Sequence, residues 1–203
     1  MDLLARTLTA ALMAFVLLAL AATSADATHS RGKCKQRGST VVKNDSARVF
    51  RRGSSLYGCL WSRNRAVLLD AESDDLYTSE TIGEVTLRGR YVAWTKASED
   101  SSCKADCPPD YDATTENVHV YELAARGGDH IAADPLSGTL RLNTHGTTAW
   151  LEAGAGGARE VHAWEFGRGS DELLDSGDVS RFRLRGRELS WLNAGTPHSV
   201  TVR

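Results

Sequence analysis

The chain has 203 residues, a length that suggests one domain or a small pair. It carries 24 Lys and Arg against 26 Asp and Glu, a formal net charge of −2. This near-neutral balance gives no electrostatic reason to expect a nucleic acid partner, and we predict none. Arginine far outnumbers lysine, a bias that is common in high-GC bacteria.

Residues 1–27 are predicted to be a secretory signal peptide. Residues 8–22 are apolar apart from Thr9, and Ala25 and Ala27 supply the small-x-small pattern that signal peptidase cleaves. The apolar run is shorter than the roughly 20 residues of a membrane helix, so an uncleaved anchor is the weaker alternative. We predict cleavage after Ala27, a secreted or cell-envelope location and no stable membrane insertion of the mature protein.

A basic N-terminal arm is predicted over 28–39, before a repeat domain over 40–203. Its positive charges fall between residues 31 and 37. They form either a solvated arm or an anchor for anionic wall polymers.

All four cysteines follow the leader, where oxidation is permitted. Among the possible pairings we favour Cys34 with Cys59 and Cys103 with Cys107, because the second pair lies within one short loop, CKADC. A metal site at CKADC is the weaker alternative, since structural zinc needs four ligands and the acidic residues nearby lack EF-hand spacing. We predict no metal, cofactor or catalytic residue.

Three segments of the mature chain read alike, and each has a strand, a Gly-containing turn and a strand that carries a Trp. They are VTLRGRYVAWT (85–95), LRLNTHGTTAWL (140–151) and FRLRGRELSWL (182–192). Alternating apolar residues around a glycine turn are typical of β-hairpins. Similar hairpins at 118–134 and 161–177, with an earlier one at 55–71, complete a repeat of about 40 residues, the length of a four-stranded propeller blade.

The repeat predicts an all-β fold: a small propeller-like array of about four antiparallel sheets, stapled by disulfides. The units are 40–75, 82–134, 139–178 and 180–203. The last unit has three strands, and residues 40–44 could supply the missing strand and close a ring. We expect 72–81 and 98–117 to be polar loops. The aromatic residues of the repeat are expected in the core: Trp94, Tyr121, Trp150, Trp164 and Trp191.

These patterns, Leu-x-Gly-x-x-x-(Ala/Ser)-Trp followed by Val-x-(Val/Ala)-aromatic-Glu, resemble TolB-type and WD-like β-propeller repeats. The segment from Tyr57 to Leu69, with its YxCLW motif, is also similar to a group of secreted actinobacterial proteins. The resemblance covers about residues 34–203. It implies a propeller-like architecture and a secreted location, and it implies no activity, cofactor or catalytic residue.

The motifs of hydrolases, zinc proteases and nucleotide-binding proteins are absent from the sequence. His119 and His162 occupy equivalent repeat positions, where a shared metal is possible but half-exposed strand histidines are the simpler interpretation. Acidic clusters in two turns are expected to be solvated: Asp70, Glu72, Asp74 and Asp75, and Asp171, Glu172, Asp175 and Asp178.

The leading hypothesis is therefore a secreted, non-catalytic module that binds an unknown protein or a cell-wall polymer through its loops. The candidate interaction loop surrounds CKADC and contains Glu99, Asp100, Asp106, Asp110 and Asp112. The alternatives are a small secreted hydrolase acting on sugars or lactones and a structural envelope protein.

Overall fold

The computed structural model describes Cys34, residues 38–102 and residues 113–203. Sixteen strands and one short 3₁₀ turn, Ala155–Gly157, make up the regular structure of these residues. The strands are β1 (Ser39–Lys43), β2 (Ala47–Arg52), β3 (Ser55–Leu60), β4 (Arg65–Ala71), β5 (Ser73–Asp74), β6 (Thr78–Arg88), β7 (Tyr91–Asp100), β8 (Thr114–Glu122), β9 (Gly127–Ala132), β10 (Arg141–Leu142), β11 (Thr147–Ala153), β12 (Arg159–Glu165), β13 (Glu172–Gly177), β14 (Val179–Arg185), β15 (Glu188–Asn193) and β16 (Thr196–Thr201). In this part of the chain no helix is long and apolar enough to cross a membrane.

The strands form four antiparallel sheets in chain order. Sheet 1 has the order β1-β2-β3-β4, sheet 2 β5-β6-β7-β8-β9, sheet 3 β10-β11-β12-β13 and sheet 4 β14-β15-β16. Neighbouring strands in sequence are neighbours in space, as expected for a succession of hairpins. The predicted all-β array of four units is confirmed, including the three strands of the last unit.

Each sheet packs against the next through one face, which we call its downstream face; the opposite face is its upstream face. Successive side chains in a strand point to opposite faces of the sheet. A strand is therefore apolar on both faces where its sheet packs between two other sheets. Residues 147–151 of β11, in sheet 3, are all buried for this reason. By contrast β15, in sheet 4, alternates between more and less buried positions.

Three hydrophobic cores lie at the three sheet interfaces. The first joins Ala47, Val49 and Leu56 of sheet 1 to Val92 and Trp94 of sheet 2. The second contains Ala93, Val118 and Val120 of sheet 2 with Trp150 and Trp164 of sheet 3. The third contains Ala149, Leu151 and Val161 of sheet 3 with Leu189 and Trp191 of sheet 4. The four tryptophans predicted to be in the core are buried, and Tyr121 packs against the first core.

The suggested ring closure is wrong. Residues 40–44 fall in β1 and the turn after it, and β1 pairs with β2 in register Thr40↔Phe50 and Lys43↔Arg48. No described strand of sheet 4 pairs with sheet 1. The array is open because the first strand completes its own sheet, where β2 gives it a short antiparallel hairpin partner.

The described parts of the two segments expected to be polar loops are mostly strand. Residues 73–74 and 78–81 belong to β5 and β6, while 98–100 and 114–117 belong to β7 and β8. Their side chains are polar because this end of sheet 2 extends away from the cores, yet the backbone pairs continue as far as Thr78↔Asp100 and Glu99↔Thr114. Sheet 2 therefore projects beyond the other sheets.

The predicted disulfide between Cys34 and Cys59 is present, with a Cα–Cα distance of 5.5 Å. Both cysteines are buried in a fourth cluster on the upstream face of sheet 1, beside Phe50 and Ala66. No sheet precedes sheet 1 in the described chain, so Cys34 covers apolar surface that a preceding sheet covers elsewhere. The predicted Cys103–Cys107 bridge lies outside the described residues, as do the leader and most of the basic arm.

Candidate functional site

An aromatic cross-strand pair recurs on the upstream face of every sheet. In sheets 2, 3 and 4 a Trp on the second strand of the repeat pairs with a His on the third, and the two rings stack. The pairs are Trp94–His119 at 5.1 Å between ring centroids, Trp150–His162 at 5.8 Å and Trp191–His198 at 5.9 Å. In sheet 1 the same place holds Phe50 stacked on Tyr57 at 5.4 Å.

The indole N–H of each of these tryptophans donates to a carboxylate. Trp94 donates to Asp70 at 2.9 Å, and Trp191 donates to Asp175 at 2.6 Å. Both acceptors lie on the last strand of the preceding sheet, so the hydrogen bond crosses the interface. It satisfies a polar group on a tryptophan that otherwise contributes only apolar packing.

The sheet 2–sheet 3 interface uses a different acceptor. Trp150 donates to Glu152, two residues along its own strand, at 2.7 Å, and Glu152 also accepts the backbone N–H of Asp134. The position of Glu152 is taken by Lys96 in sheet 2 and Asn193 in sheet 4, and each of these donates to the carboxylate of the preceding sheet. At this interface the acceptor lies on the same strand as the tryptophan and not on the preceding sheet, but the indole N–H still has a carboxylate partner.

These hydrogen bonds keep the cross-interface carboxylates ionised. Burial raises the pKa of Asp70, but hydrogen bonds from Lys96 and Trp94 outweigh it and hold the pKa below its usual value. Burial likewise opposes ionisation of Asp175, and donors that include Trp191 and Asn193 lower its pKa overall. An ion pair of 3.0 Å also joins Lys96 to Asp70. Each carboxylate is thus a fixed acceptor in the interface.

His119 is the most strongly perturbed titratable side chain in this set. It lies between the rings of Trp94 and His130, stacked on both, and its Nε2 is buried without a hydrogen-bond partner among the described residues. Burial lowers its pKa to about 4. His119 is therefore neutral at physiological pH and serves as a packed ring.

His119 and His162 do not converge on a shared site, because they lie at successive interfaces. The imidazole of His162 is less exposed than expected, with 12% of its side chain accessible, and its Nδ1 lies 2.6 Å from Asp171. Across the described ranges, no group of three or more His, Cys, Asp or Glu is arranged to hold a metal ion.

The expectation that both acidic turns are simply solvated is wrong for several of their members. Asp70 and Asp175 accept indole hydrogen bonds, Asp171 contacts His162, and Glu72 pairs with Arg51 at 2.5 Å. The sequence analysis placed these carboxylates in turns, but Asp70 and Asp175 lie in β4 and β13. Their hydrogen-bond donors become clear only when successive sheets are stacked. Asp70 and Asp175 thereby help to hold successive sheets together.

A different surface lies at the projecting end of sheet 2, and we call it the sheet 2 tip: residues 74–77 and 99–102. Leu76 is the most exposed large hydrophobic side chain of the described chain, with 75% of its surface accessible, and its neighbour Tyr77 is 55% accessible. Acidic residues surround them: Asp74, Asp75, Glu99 and Asp100. The sequence analysis missed Leu76 and Tyr77; an apolar pair inside an otherwise polar segment was the available signal.

The turn that presents Leu76 and Tyr77 is held by hydrogen bonds. Asp75 accepts the backbone N–H groups of Tyr77 at 2.9 Å and Thr78 at 2.8 Å. These bonds also lower the pKa of Asp75. Ser101 donates its backbone N–H to the Tyr77 carbonyl at 2.7 Å, and its hydroxyl donates to the same oxygen. The turn is thereby fixed to the strand that leads into the CKADC loop.

Two members of the predicted interaction loop are described. Glu99 and Asp100 end β7, where they pair with Ser79 and Thr78 of β6. Asp100 accepts the backbone N–H of Ser102 at 2.8 Å, and its own N–H donates to the Ala113 carbonyl. Asp106, Asp110 and Asp112, like Cys103 and Cys107, lie outside the described residues. The root of the predicted loop thus lies beside Tyr77.

The fold and its stacked sheets define an all-β, propeller-like protein whose array is open. The chain is similar in fold to the crystal structure of Porphyromonas gingivalis dipeptidyl peptidase 4, a protein with a β-propeller domain, with a TM-score of 0.50 and 11% sequence identity. The likeness covers 82% of this chain and 31% of that one, so the chain spans about a third of the peptidase's length. No protein-family model matches the chain, and no curated protein matches it.

Proposed function

We propose that this protein is a non-catalytic binding module that acts outside the cytoplasm and captures a protein partner through the sheet 2 tip. The observation that carries the proposal is the exposure of Leu76 and Tyr77 on a hydrogen-bonded turn. The resemblance of the sequence to secreted proteins with TolB-type and WD-like repeats also supports this proposal.

The energetics of the tip favour a binding role. Burying one large apolar side chain contributes roughly 1.5–3 kcal/mol, and tyrosine is enriched among the residues that dominate protein interfaces. The cost of ordering Leu76 and Tyr77 is low because Asp75 and Ser101 already fix the backbone of their turn. An exposed apolar pair on a rigid turn is thus suited to an apolar pocket in a partner.

The negative charge around Leu76 and Tyr77 indicates that the rim of the partner's pocket is basic. Asp74, Asp75 and Glu99 lie next to Leu76 and Tyr77 in the tip, and no basic residue occurs among 74–77 or 99–102. Complementary charge increases the association rate and selects partners more than it raises affinity. The partner we propose is a protein with an apolar pocket bordered by Lys or Arg.

Two observations support a location outside the cytoplasm. Residues 1–27 have the pattern of a cleavable signal peptide, and the Cys34–Cys59 disulfide is of the kind that persists in oxidising compartments. The alternative of a small hydrolase for sugars or lactones has less support, because Asp70 and Asp175 already accept hydrogen bonds from tryptophans.

The test compares two double variants of the mature protein as immobilised bait. Leu76→Ser with Tyr77→Ser removes the apolar pair of the tip, while Leu68→Ser with Leu173→Ser removes two other exposed leucines, 51% and 55% accessible. Proteins from the culture medium and the cell envelope of the source organism are captured and quantified by mass spectrometry. We expect a species that the wild type and the control retain and that the tip variant loses.

Retention that is unchanged in the tip variant would contradict the proposal. A third bait, in which 103–112 is replaced by a short Gly-Ser linker, tests the contribution of the CKADC loop without removing paired strand residues. Turnover of sugar or lactone substrates by the wild type, lost in an Asp70→Asn variant that still folds, would favour the hydrolase instead.

A further inference from the structure

The downstream face of sheet 4 differs from the same face of the other three sheets. In sheets 1 to 3 this face is apolar and packs on the next sheet, as with Val49, Val120 and Val161. In sheet 4 the cross-strand pairs Arg183↔Ser190 and Arg185↔Glu188 lie on it. The array therefore ends, in the described chain, on a polar face with no sheet against it.

Positive charge dominates this face. Arg181, Arg183 and Arg185 are exposed, and none of the three forms an ion pair with another described residue. The only acidic side chain among the cross-strand pairs of the face is Glu188, opposite Arg185. Guanidinium groups with no ion-pair partner among the described residues are free to bind an anion.

The spacing of the arginines suits an extended ligand. Arg183 and Arg185 are alternate residues of β14, so their side chains leave the sheet about 7 Å apart along the strand. Arg181 lies in the irregularity between Ser180 and Arg183, where its backbone φ of 51° is left-handed, and it returns to the same side. A shallow depression of about 300 Å³ opens here, lined by Arg181, Arg183, Ser190, Trp191, Leu192, Pro197 and His198.

We propose that this face binds a linear polymer of phosphodiester-linked polyols. A guanidinium donates two parallel hydrogen bonds to the oxygens of one phosphate, so successive arginines along β14 can meet successive phosphates. The hydroxyls of Ser190, Ser199 and Thr201, on the same face, supply partners for the polyol hydroxyl groups. This site is separate from the sheet 2 tip and does not depend on the proposed capture of a protein.

Nucleic acid fits this face less well. Proteins that bind single strands without sequence preference use exposed aromatic rings on which bases stack. Of the aromatic side chains of sheet 4, Phe182 and Trp191 belong to the core it shares with sheet 3, and the His198 ring stacks on Trp191. The cross-strand pairs of the downstream face offer charge and hydroxyl groups, and none of them contains an aromatic residue.

The test measures binding of synthetic poly(glycerol phosphate) to the mature protein by isothermal titration calorimetry at several salt concentrations. The variant is Arg183→Glu with Arg185→Glu. The matched control is Arg52→Glu with Arg88→Glu, two exposed strand arginines elsewhere, so both variants change the net charge equally. Circular dichroism verifies that each variant is folded.

We expect saturable binding by the wild type and by the control, and at least about 30-fold weaker binding by the sheet 4 variant, as for two lost charge-assisted contacts. The slope of log affinity against log salt should fall in magnitude by about 1.4, two contacts at ~0.7 each. Equal weakening in both variants, absence of binding by the wild type, or tighter binding of polyglutamate or single-stranded DNA would each overturn the proposal.

Discussion

The indole N–H of Trp94 donates to the carboxylate of Asp70 across the interface between the first two sheets. Trp191 and Asp175 repeat this bond across the last interface. Both pairs consist of a large aromatic side chain in an apolar core and an ionised acceptor at its margin. The bond adds direction to packing that is otherwise non-directional, and it fixes how one sheet lies on the next.

Replacing Asp70 with Ala should destabilise the protein by about 2–3 kcal/mol, because it leaves Trp94 Nε1 without its acceptor and Lys96 with Glu80 as its remaining carboxylate partner. The free energy of unfolding from urea titration measures the change. Asp74→Ala, at an exposed position of β5, is the control and should stay within about 0.5 kcal/mol of wild type. A loss at Asp70 no larger than at Asp74 would show that the cross-interface bond contributes nothing.

Acid should weaken the protein through His119. Its pKa is about 4 in the folded protein and near the ordinary histidine value of 6.5 in the unfolded chain, so the unfolded state binds more protons between these values. Stability is therefore lost as the pH falls through that window, by about 2 kcal/mol between pH 7 and pH 5.

His119→Phe keeps a ring between Trp94 and His130 but cannot be protonated. Urea midpoints of the wild type and this variant, each measured at pH 7 and pH 5, isolate the contribution of His119 from that of every other titrating group. The variant should lose less stability on acidification than the wild type does. Parallel losses in the two proteins would rule out His119 as the source.

Removal of the Cys34–Cys59 disulfide should cost about 3 kcal/mol, the loop-closure entropy of a 25-residue separation. Cys34→Ala with Cys59→Ala should show this loss in thermal unfolding, and treatment of the wild type with reductant under mild denaturation should approach the same midpoint. Uncovering the apolar upstream face of sheet 1 adds to this loss. An unchanged midpoint in the double variant would mean that the arm does not stabilise that face.

Gly58 occupies a position where sheet 1 and sheet 2 approach closely. A Cβ there would lie 2.4 Å from Leu123 Cδ2 and about 3.2 Å from Leu69 Cδ1, so Gly58→Ala should destabilise the protein by about 1–3 kcal/mol through overpacking. Gly169→Ala, where nothing lies within 4 Å, is the control and should be nearly neutral. Equal stability of the two variants in urea would contradict the close packing at this interface.

Much of the fold could be predicted from the sequence. A repeat that places Trp94, Trp150 and Trp191 at equivalent positions indicates a repeated structural unit, even where the details of each unit are unknown. The pairing of Cys34 with Cys59 was likewise accessible from their number and placement. Ring closure was not, since β1 could pair with β2 or with β16 by its pattern alone. The pairing of β1 with β2, together with the polar downstream face of sheet 4, shows that the array of described sheets is open.

The site was harder to predict than the fold. His119 and His162 were recognisable as equivalent, but His198 was missed because it follows Pro197 in a strand of mostly exposed residues. Leu76 and Tyr77 were hidden in a segment whose acidic residues made it resemble a loop. Whether an apolar side chain is exposed depends on which sheets are neighbours, and the local pattern does not contain that information.

Site-specific photo-cross-linking tests most directly the claim that the sheet 2 tip binds a partner. The photoreactive residue p-benzoylphenylalanine replaces Tyr77 in one protein and Leu173, another exposed apolar position, in a second. Both are irradiated with extracellular and envelope proteins of the source organism. We predict a discrete cross-linked product from position 77 that unlabelled wild-type protein competes away, and none from position 173. Cross-linking that is equal at the two positions, or absent at position 77, would contradict the account.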